Sequence, residues 1–437
     1  MSEWEKVKIG DVCKIVKGTT GIASAVPGEF PLVVTAVERK TCSTYQFDCE
    51  AVCIPLVSSS GHGKKSLNNV HYQSGKFALG TILCAVIPNN PEELDARYLH
   101  QYLQFYKDTV LVPLMKGAAN VSLSMKDITD VSIPLPPIKR QRELAEMFVT
   151  LQEKQKELFA EYEKQTEYAK QLRQNILQEA IEGKLTADWR KQHPIQKGNP
   201  DYDAQALFDK IQAEKSETKN SKKTVAPISK DEIPFEIPIG WKWVRLGEIA
   251  LLITDGEHST PSRIDTYEGY YLLSARNIRN EGISLNDVDF VDKNEYERIN
   301  KRCNPRRGDV LISCSGSIGR SCVVCDNNNY VMVRSDAMIR INELNSIFIC
   351  YSLQSIFLQK QIKDSILKSV QPNLFLGAIK NLYLPLPPLA ELKEIVARVE
   401  QHLQIITQLE TQIATRETLT KQLMQSILKD AFEEKSL

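Results

Sequence analysis

The sequence predicts a mixed α/β (α+β) protein in which two globular regions alternate with two long helices that pair as an antiparallel coiled coil. Three observations carry this prediction. The chain repeats itself, each half closes on a proline-led heptad pattern, and the stretches between mix strand and helix signals.

The repeat comes first. Residues 131–138 read VSIPLPPI and residues 382–389 read LYLPLPPL, an offset of 251 that persists downstream without a gap. Glu143 falls on Glu394, Leu172 on Leu423, and Ile176-Leu177-Gln178-Glu179-Ala180 on Ile427-Leu428-Lys429-Asp430-Ala431. The openings match too: Trp4-Glu-Lys-Val-Lys-Ile-Gly10 resembles Trp241-Lys-Trp-Val-Arg-Leu-Gly247, at an offset of 237. Between these ends the halves hardly align. One framework therefore presents two different surfaces.

In the first globular region, 1–136, strand-like runs fall at Val52–Val57 and Thr81–Ile87, with a helical run at Pro91–Gln104. Pro136-Pro137 then ends an extended stretch, and no Pro or Gly follows until Gly183, so residues 137–185 read as a long helix. Its apolar seam is Leu144, Phe148, Leu151, Leu158, Leu172 and Ile176, with Tyr162 and Ala169 in register and Gln155 and Gln165 as polar breaks. Gly183 is the expected stop. Residues 186–230 turn polar and read as a linker, with a short amphipathic helix at Ala204–Glu214 and a mobile segment at 215–230.

The second globular region, 231–387, has strand-like runs at Val310–Ser313 and Tyr330–Arg334 and a helical run at Asn345–Lys363. Gly80-Thr-Ile-Leu and Gly308-Asp-Val-Leu read as equivalent. The closing helix, 388–437, keeps the first one's register through Ile395, Val399, Ile406, Leu409, Ile413, Leu423 and Ile427. Two matched helices in one chain are expected to pair with each other, antiparallel, as a rod of roughly 65 Å that sets the globular regions at opposite ends, the alternative being that each packs on another subunit.

Composition bounds the function. The 437 residues hold 55 Lys plus Arg and 55 Asp plus Glu, so a wholly basic nucleic-acid coat protein is excluded and any polyanion must be met by local patches. No run of about 18 apolar residues suggests a membrane span, and no secretory leader opens the chain. The ten cysteines are then expected to be reduced thiols in a cytoplasm. Cys322-Val-Val-Cys325 has zinc-ligand spacing, but it lacks a second CxxC or a nearby His, so buried thiols are the plainer reading and no metal is expected.

No catalytic constellation is present. The stretch Gly61–Ser66 fails the phosphate-loop pattern, since Ser58 stands where the first Gly belongs and Lys65 where Ser or Thr belongs. Nucleophile-elbow, HExxH and dinucleotide patterns are missing, as is the Asn- or Asp-Pro-Pro-aromatic tetrapeptide of amino methylation. What remains is a set of polar loops whose residue types suit phosphates and base edges. In the second region these are Arg276, Asn277 and Arg279, then Ser315, Ser317 and Arg320, then Gln371 and Asn373. The stretch 298–340 holds eight Arg or Lys against three acids, a net +5 inside a neutral total. In the first region the candidates are Lys64, Lys65, Lys116 and Asn120, with Arg39-Lys40 a further basic pair. Solvated turns would look much the same.

Pro134-Leu-Pro-Pro137, Pro385-Leu-Pro-Pro388, Gly183-Lys-Leu-Thr186, Trp241-x-Trp243-x-x-Leu246-Gly247, Gly308-Asp-Val-Leu-Ile-Ser and Gly316-Ser-Ile-Gly319 together resemble the specificity subunit of type I restriction-modification enzymes, over essentially the whole chain. The first half departs from the pattern: its opening lacks the second Trp, and its Gly61–Ser66 loop is not spaced like Gly316–Arg320. The resemblance implies two target recognition domains, each reading half of a bipartite site on double-stranded DNA. It implies helices that set the spacer and dock two methyltransferase subunits, with restriction/translocase subunits joining. It also implies a non-catalytic chain without cofactors, the adenine-specific complex using S-adenosylmethionine, ATP and Mg through other subunits. The competing reading is a coiled-coil scaffold with two protein-binding heads and no DNA contact.

Overall fold

The computed structural model describes residues 4–60, 63–217, 228–341, 343–367 and 372–433. The segment expected to be mobile lies, at 218–227, outside the described residues. The chain divides into two units, Met1–Glu163 with Ala414–Leu437, and Lys164–Ile413.

In the first unit the matching ends of the half are hydrogen-bonded neighbours. Strand Lys6–Lys8 pairs antiparallel with Ser132–Pro134, so the opening motif and the PLPP motif form one ladder. A four-stranded antiparallel sheet runs Cys13–Lys17, Leu83–Pro88, Ala51–Pro55, His71–Gln73. Its middle strand, AVCIP, is buried at every position, which explains an apolar run without alternation. Strand Phe30–Val33 runs parallel to Lys76–Leu79 in a second sheet. Helix Ala96–Val110 starts where Asp95 Oδ1 accepts from the amides of Arg97 and Tyr98, and Tyr98 Oη donates to Pro134 O at 2.9 Å.

The second unit repeats this plan. Lys242–Arg245 pairs with Tyr383–Leu386. The four-stranded sheet runs Leu252–Asp255, Asp336–Arg340, Val310–Ser313, Ser321–Val323. Tyr270–Leu273 runs parallel to Asn329–Met332. The expected 345–363 helix is two, Glu343–Gln354 and Ile356–Leu367. The linker helix spans Ala204–Glu217.

The long helices are Ile138–Ile181 and Leu389–Glu433, 44 and 45 residues. Within the first unit the Phe148 ring packs 4.7 Å from that of Phe432 and Tyr162 bonds Thr420 at 3.0 Å; as one number rises the other falls, so the pair is antiparallel. Within the second unit Arg173 meets Glu410 at 3.0 Å. The first helix ends at Gly183, whose φ of +71° lets Lys184 N–H reach Glu179 O at 2.9 Å.

The expected seam needs correction. Leu144, Phe148, Ile176, Ile395, Val399 and Ile406 are buried, and Leu151, Ile413 and Ile427 are half-buried. Leu158, Leu172, Leu409 and Leu423, however, are exposed, at 43%, 45%, 43% and 61%. Their neighbours Phe159, Arg173, Glu410 and Met424 turn inward instead. An α-helix has 3.6 residues per turn, so seam positions drift off a strict seven-residue repeat unless supercoiling corrects it. Polar partners such as Tyr162–Thr420 and Arg173–Glu410 occupy the centre in place of leucine.

Candidate nucleic-acid interface

Backbone hydrogen bonds make the two regions residue-by-residue equivalents. Gly18 N–H donates to Leu83 O, and Gly256 N–H to Asp336 O. Thr81 N–H donates to Thr20 O, as Arg334 N–H does to Glu257 O. Leu56 N–H donates to Ile82 O, as Cys314 N–H does to Ser335 O; Leu123 N–H donates to Leu56 O, as Leu374 N–H does to Cys314 O. Gly18 and Gly256 share one constraint. A Cβ at Gly18 would stand 2.2 Å from Gly80 O, and at Gly256 2.3 Å from Met332 O. In this register Gly308-Asp309 precedes the strand equivalent to Ala51–Pro55, so its expected match with Gly80-Thr81 is wrong; similar spelling before two different strands misled it.

In the second region these bonds stitch four segments around a cleft of about 340 Å³ lined by Asp255, His258, Ser315, Arg334, Asn373 and Phe375, among others. Ser315 and Asn373 were expected as candidates, and the fold brings them together. The turn at Ser274 abuts the same place, Ala275 N–H donating to Ser335 Oγ at 3.1 Å. Asn277 corrects the reading of that turn. It is fully buried, its Oδ1 accepting from Ser274 N and Oγ and its Nδ2 donating to Ser284 O, so it holds the loop and faces no ligand. Arg276 is exposed but bound to Asp289 at 2.6 Å. Arg279 and Ser317 are exposed and Arg320 half-buried, the last on a turn made possible by positive φ at Gly316 and Gly319. Gln371 lies outside the described residues.

Several cations of this region are already matched. Arg263 pairs with Asp289, Arg298 with Glu295 and Glu257, and Arg302 with Asp255, which also holds His258 at 2.7 Å. Hydrogen bonds from Ser259 and the charge of Arg298 hold the Glu257 carboxyl down at about 2. Of the eight cations in 298–340, Arg298, Arg302 and Arg340 are held in ion pairs, the last by Asp309, so part of the net +5 is spent inside the domain. Arg334, which sequence reading missed, is exposed and shows no side-chain partner among the described residues. Its sequence signals are its place in the basic stretch 298–340 and at the end of the strand-like run Tyr330–Arg334.

In the first region the candidate loops also converge. Lys65 Nζ reaches Pro113 O at 3.5 Å, and a Cβ on Gly63 would meet Ala118 O at 2.7 Å. Lys64, Lys65 and Asn120 are exposed, whereas Lys116 is held by Asp127 at 3.1 Å. Arg39 is half-buried, tying Gln73, His71 and Tyr72 O together. Burial, and then the Arg39 charge, push His71 down to about 4.

Among the described residues no group of three His, Cys, Asp or Glu side chains converges to hold a metal. Cys303, Cys314 and Cys322 are buried and Cys325 is exposed; burial pushes the Cys303 and Cys314 thiols up to about 12.

The family model described as the type I restriction modification DNA specificity domain matches residues 1–167 and 238–416. The chain belongs to this family. Within it, the specificity subunit of the type I restriction enzyme EcoDI of Escherichia coli is 23% identical across 98% of this chain and 88% of its own length. That of EcoBI, also from Escherichia coli, is 26% identical over 312 residues, 71% of this chain and 59% of the EcoBI subunit. The HsdS subunit from Thermoanaerobacter tengcongensis shares the fold, with TM-score 0.56 and 20% identity over 99% of this chain and 97% of that one. A chain from a study of complex assembly and conformational transition of the type I R-M system gives TM-score 0.67 at 20% identity, over 99% and 98%. No helix among the described residues is long and apolar enough to cross a membrane.

Proposed function

We propose that this family member is the DNA-sequence specificity subunit of a type I restriction-modification complex, each globular region reading one half of a bipartite duplex target. One observation carries the reading: the same hydrogen-bonded frame occurs twice and bears unlike side chains at matching loop positions. Two readers of one build with different side chains are what an asymmetric, two-part site requires. The domains are taken as 1–136 and 231–387, with helices at 137–185 and 388–437 and the linker 186–230 between.

In this reading the chain performs no chemistry. Adenine methylation, with S-adenosylmethionine, comes from two methyltransferase subunits docked on the helices, and ATP- and Mg-dependent restriction from translocase subunits, all in the cytoplasm. The helices fix the spacer, so deleting one heptad from both in register shortens the spacer and leaves both half-sites unchanged. Because the chain carries no net charge and the methyltransferase partners supply much of the positive surface around DNA, the isolated chain binds DNA weakly and the assembled complex tightly. The test is a genome-wide map of methylated adenines with and without the gene: loss of one bipartite motif is expected, and an unchanged map overturns the reading.

A further inference from the structure

We propose that Arg334 is a specificity-determining residue of the second region, contacting a guanine in the major groove, with Asn373 reading an adjoining position; this rests on the DNA reading above. Arg334 and Thr81 occupy the same place in the shared frame, each donating its amide to the equivalent carbonyl, Glu257 O or Thr20 O. The frame closes as well around a threonine, so no packing or folding requirement selects arginine here. Asn373 likewise stands where the first region has Ser122, and Ser315 where it has Val57.

Arg263, Arg276, Arg298 and Arg302 each carry a carboxylate partner at 2.5–3.3 Å. To reach DNA they must first break those pairs. Arg334 has none among the described residues and stays exposed at the lip of the cleft. An unmatched guanidinium in a polar cleft suits an anionic, acceptor-rich ligand, and guanine O6 and N7 fit its planar fork bidentately.

Residues flanking Arg334 are fixed by Cys314 N–H to Ser335 O at 2.7 Å and Gly256 N–H to Asp336 O at 3.2 Å, and the opposite wall by Leu374 N–H to Cys314 O at 2.9 Å. Beside Asn373, Phe375 leaves 58% of its surface in water, an apolar face available to a thymine methyl or a sugar.

Once gene deletion has defined the motif, duplexes altered one position at a time are methylated by the complex carrying wild-type, Arg334→Ala or Arg334→Lys chain. In the wild type, replacing the contacted guanine costs about 5- to 150-fold. Arg334→Ala is expected to abolish that discrimination at one position of one half-site and to leave the other half intact. Arg334→Lys, which keeps the charge without the fork, is expected to retain part of it, and it carries the same test should Arg334→Ala be too inactive to measure. Discrimination unchanged at every position, or weakening that is uniform across all duplexes as for a phosphate contact, overturns the assignment. Absence of any motif dependent on the gene would instead defeat the underlying DNA reading.

Discussion

The two globular regions close on the same backbone bonds and differ in what they bury and expose. Where the first places Leu83, the second buries Asp336; where the first places His71, the second has Cys322. At the cleft, Thr81, Ser122 and Val57 stand against Arg334, Asn373 and Ser315. A frame that tolerates such exchanges leaves specificity to a few side chains, and each exchange offers a way to break or sharpen the comparison.

The largest effect is expected at the helix starts. Glu391 is buried, paired with Arg190 and accepting from Thr186 Oγ1 and Trp241 Nε1, both at 2.7 Å. This node joins the GKLT, W-x-W and PLPP motifs. Its counterpart at the 251 offset, Arg140, makes an exposed pair with Glu143 and no other ion pair among the described residues. Glu391→Ala strands the Arg190 charge and is expected to destabilise its unit by about 3–5 kcal/mol. Arg140→Ala should cost less than about 1 kcal/mol. Hydrogen exchange measured by peptide separates the two.

Next come the glycines. Gly18→Ala and Gly256→Ala each drive a Cβ into backbone carbonyls, and each is expected to cost about 3 kcal/mol or more in its own region. Loss in one region alone would show the frames are not equivalent.

A smaller, opposite change is expected at Asp336. Its Oδ1 has no partner among the described residues, and burial pushes its carboxyl up to about 8. Asp336→Leu, copying Leu83, should stabilise the second region by about 1–3 kcal/mol at neutral pH.

The pH dependences should then run in opposite directions. Asp336 titrates higher in the folded state than in the unfolded, so its contribution is fully present below pH 3.8 and lost as pH rises through 8. His71 titrates lower when folded, so its contribution is present above pH 6.5 and lost as pH falls towards 4. His71→Cys and Asp336→Leu should flatten the respective curves when local exchange is followed across pH.

Much of this was legible in the sequence, and the remainder was hidden for identifiable reasons. The Trp-led openings and PLPP motifs stood out because they are strand partners that every copy of the frame must keep. The middles failed to align because insertions separate the same bonds: equivalents are 238 residues apart at Gly18 and Gly256, 258 apart at Leu56 and Cys314, and 251 apart at Leu123 and Leu374. Arg276 and Arg334 read alike as letters; only the fold reveals that Asp289 holds the first. Asn277 looked like a reader because residue type does not report burial. Leu158 and Leu423 looked like seam because a heptad count ignores helical drift.

The central claim is that each region reads its own half-site on a common frame. It is tested most directly by replacing residues 231–387 with a second copy of 1–136, joined at the equivalent Trp-led opening and PLPP ends, and mapping methylated adenines. A symmetric motif, the first half-site repeated in inverted orientation, is the predicted result. Methylation that keeps the original asymmetric motif would contradict it.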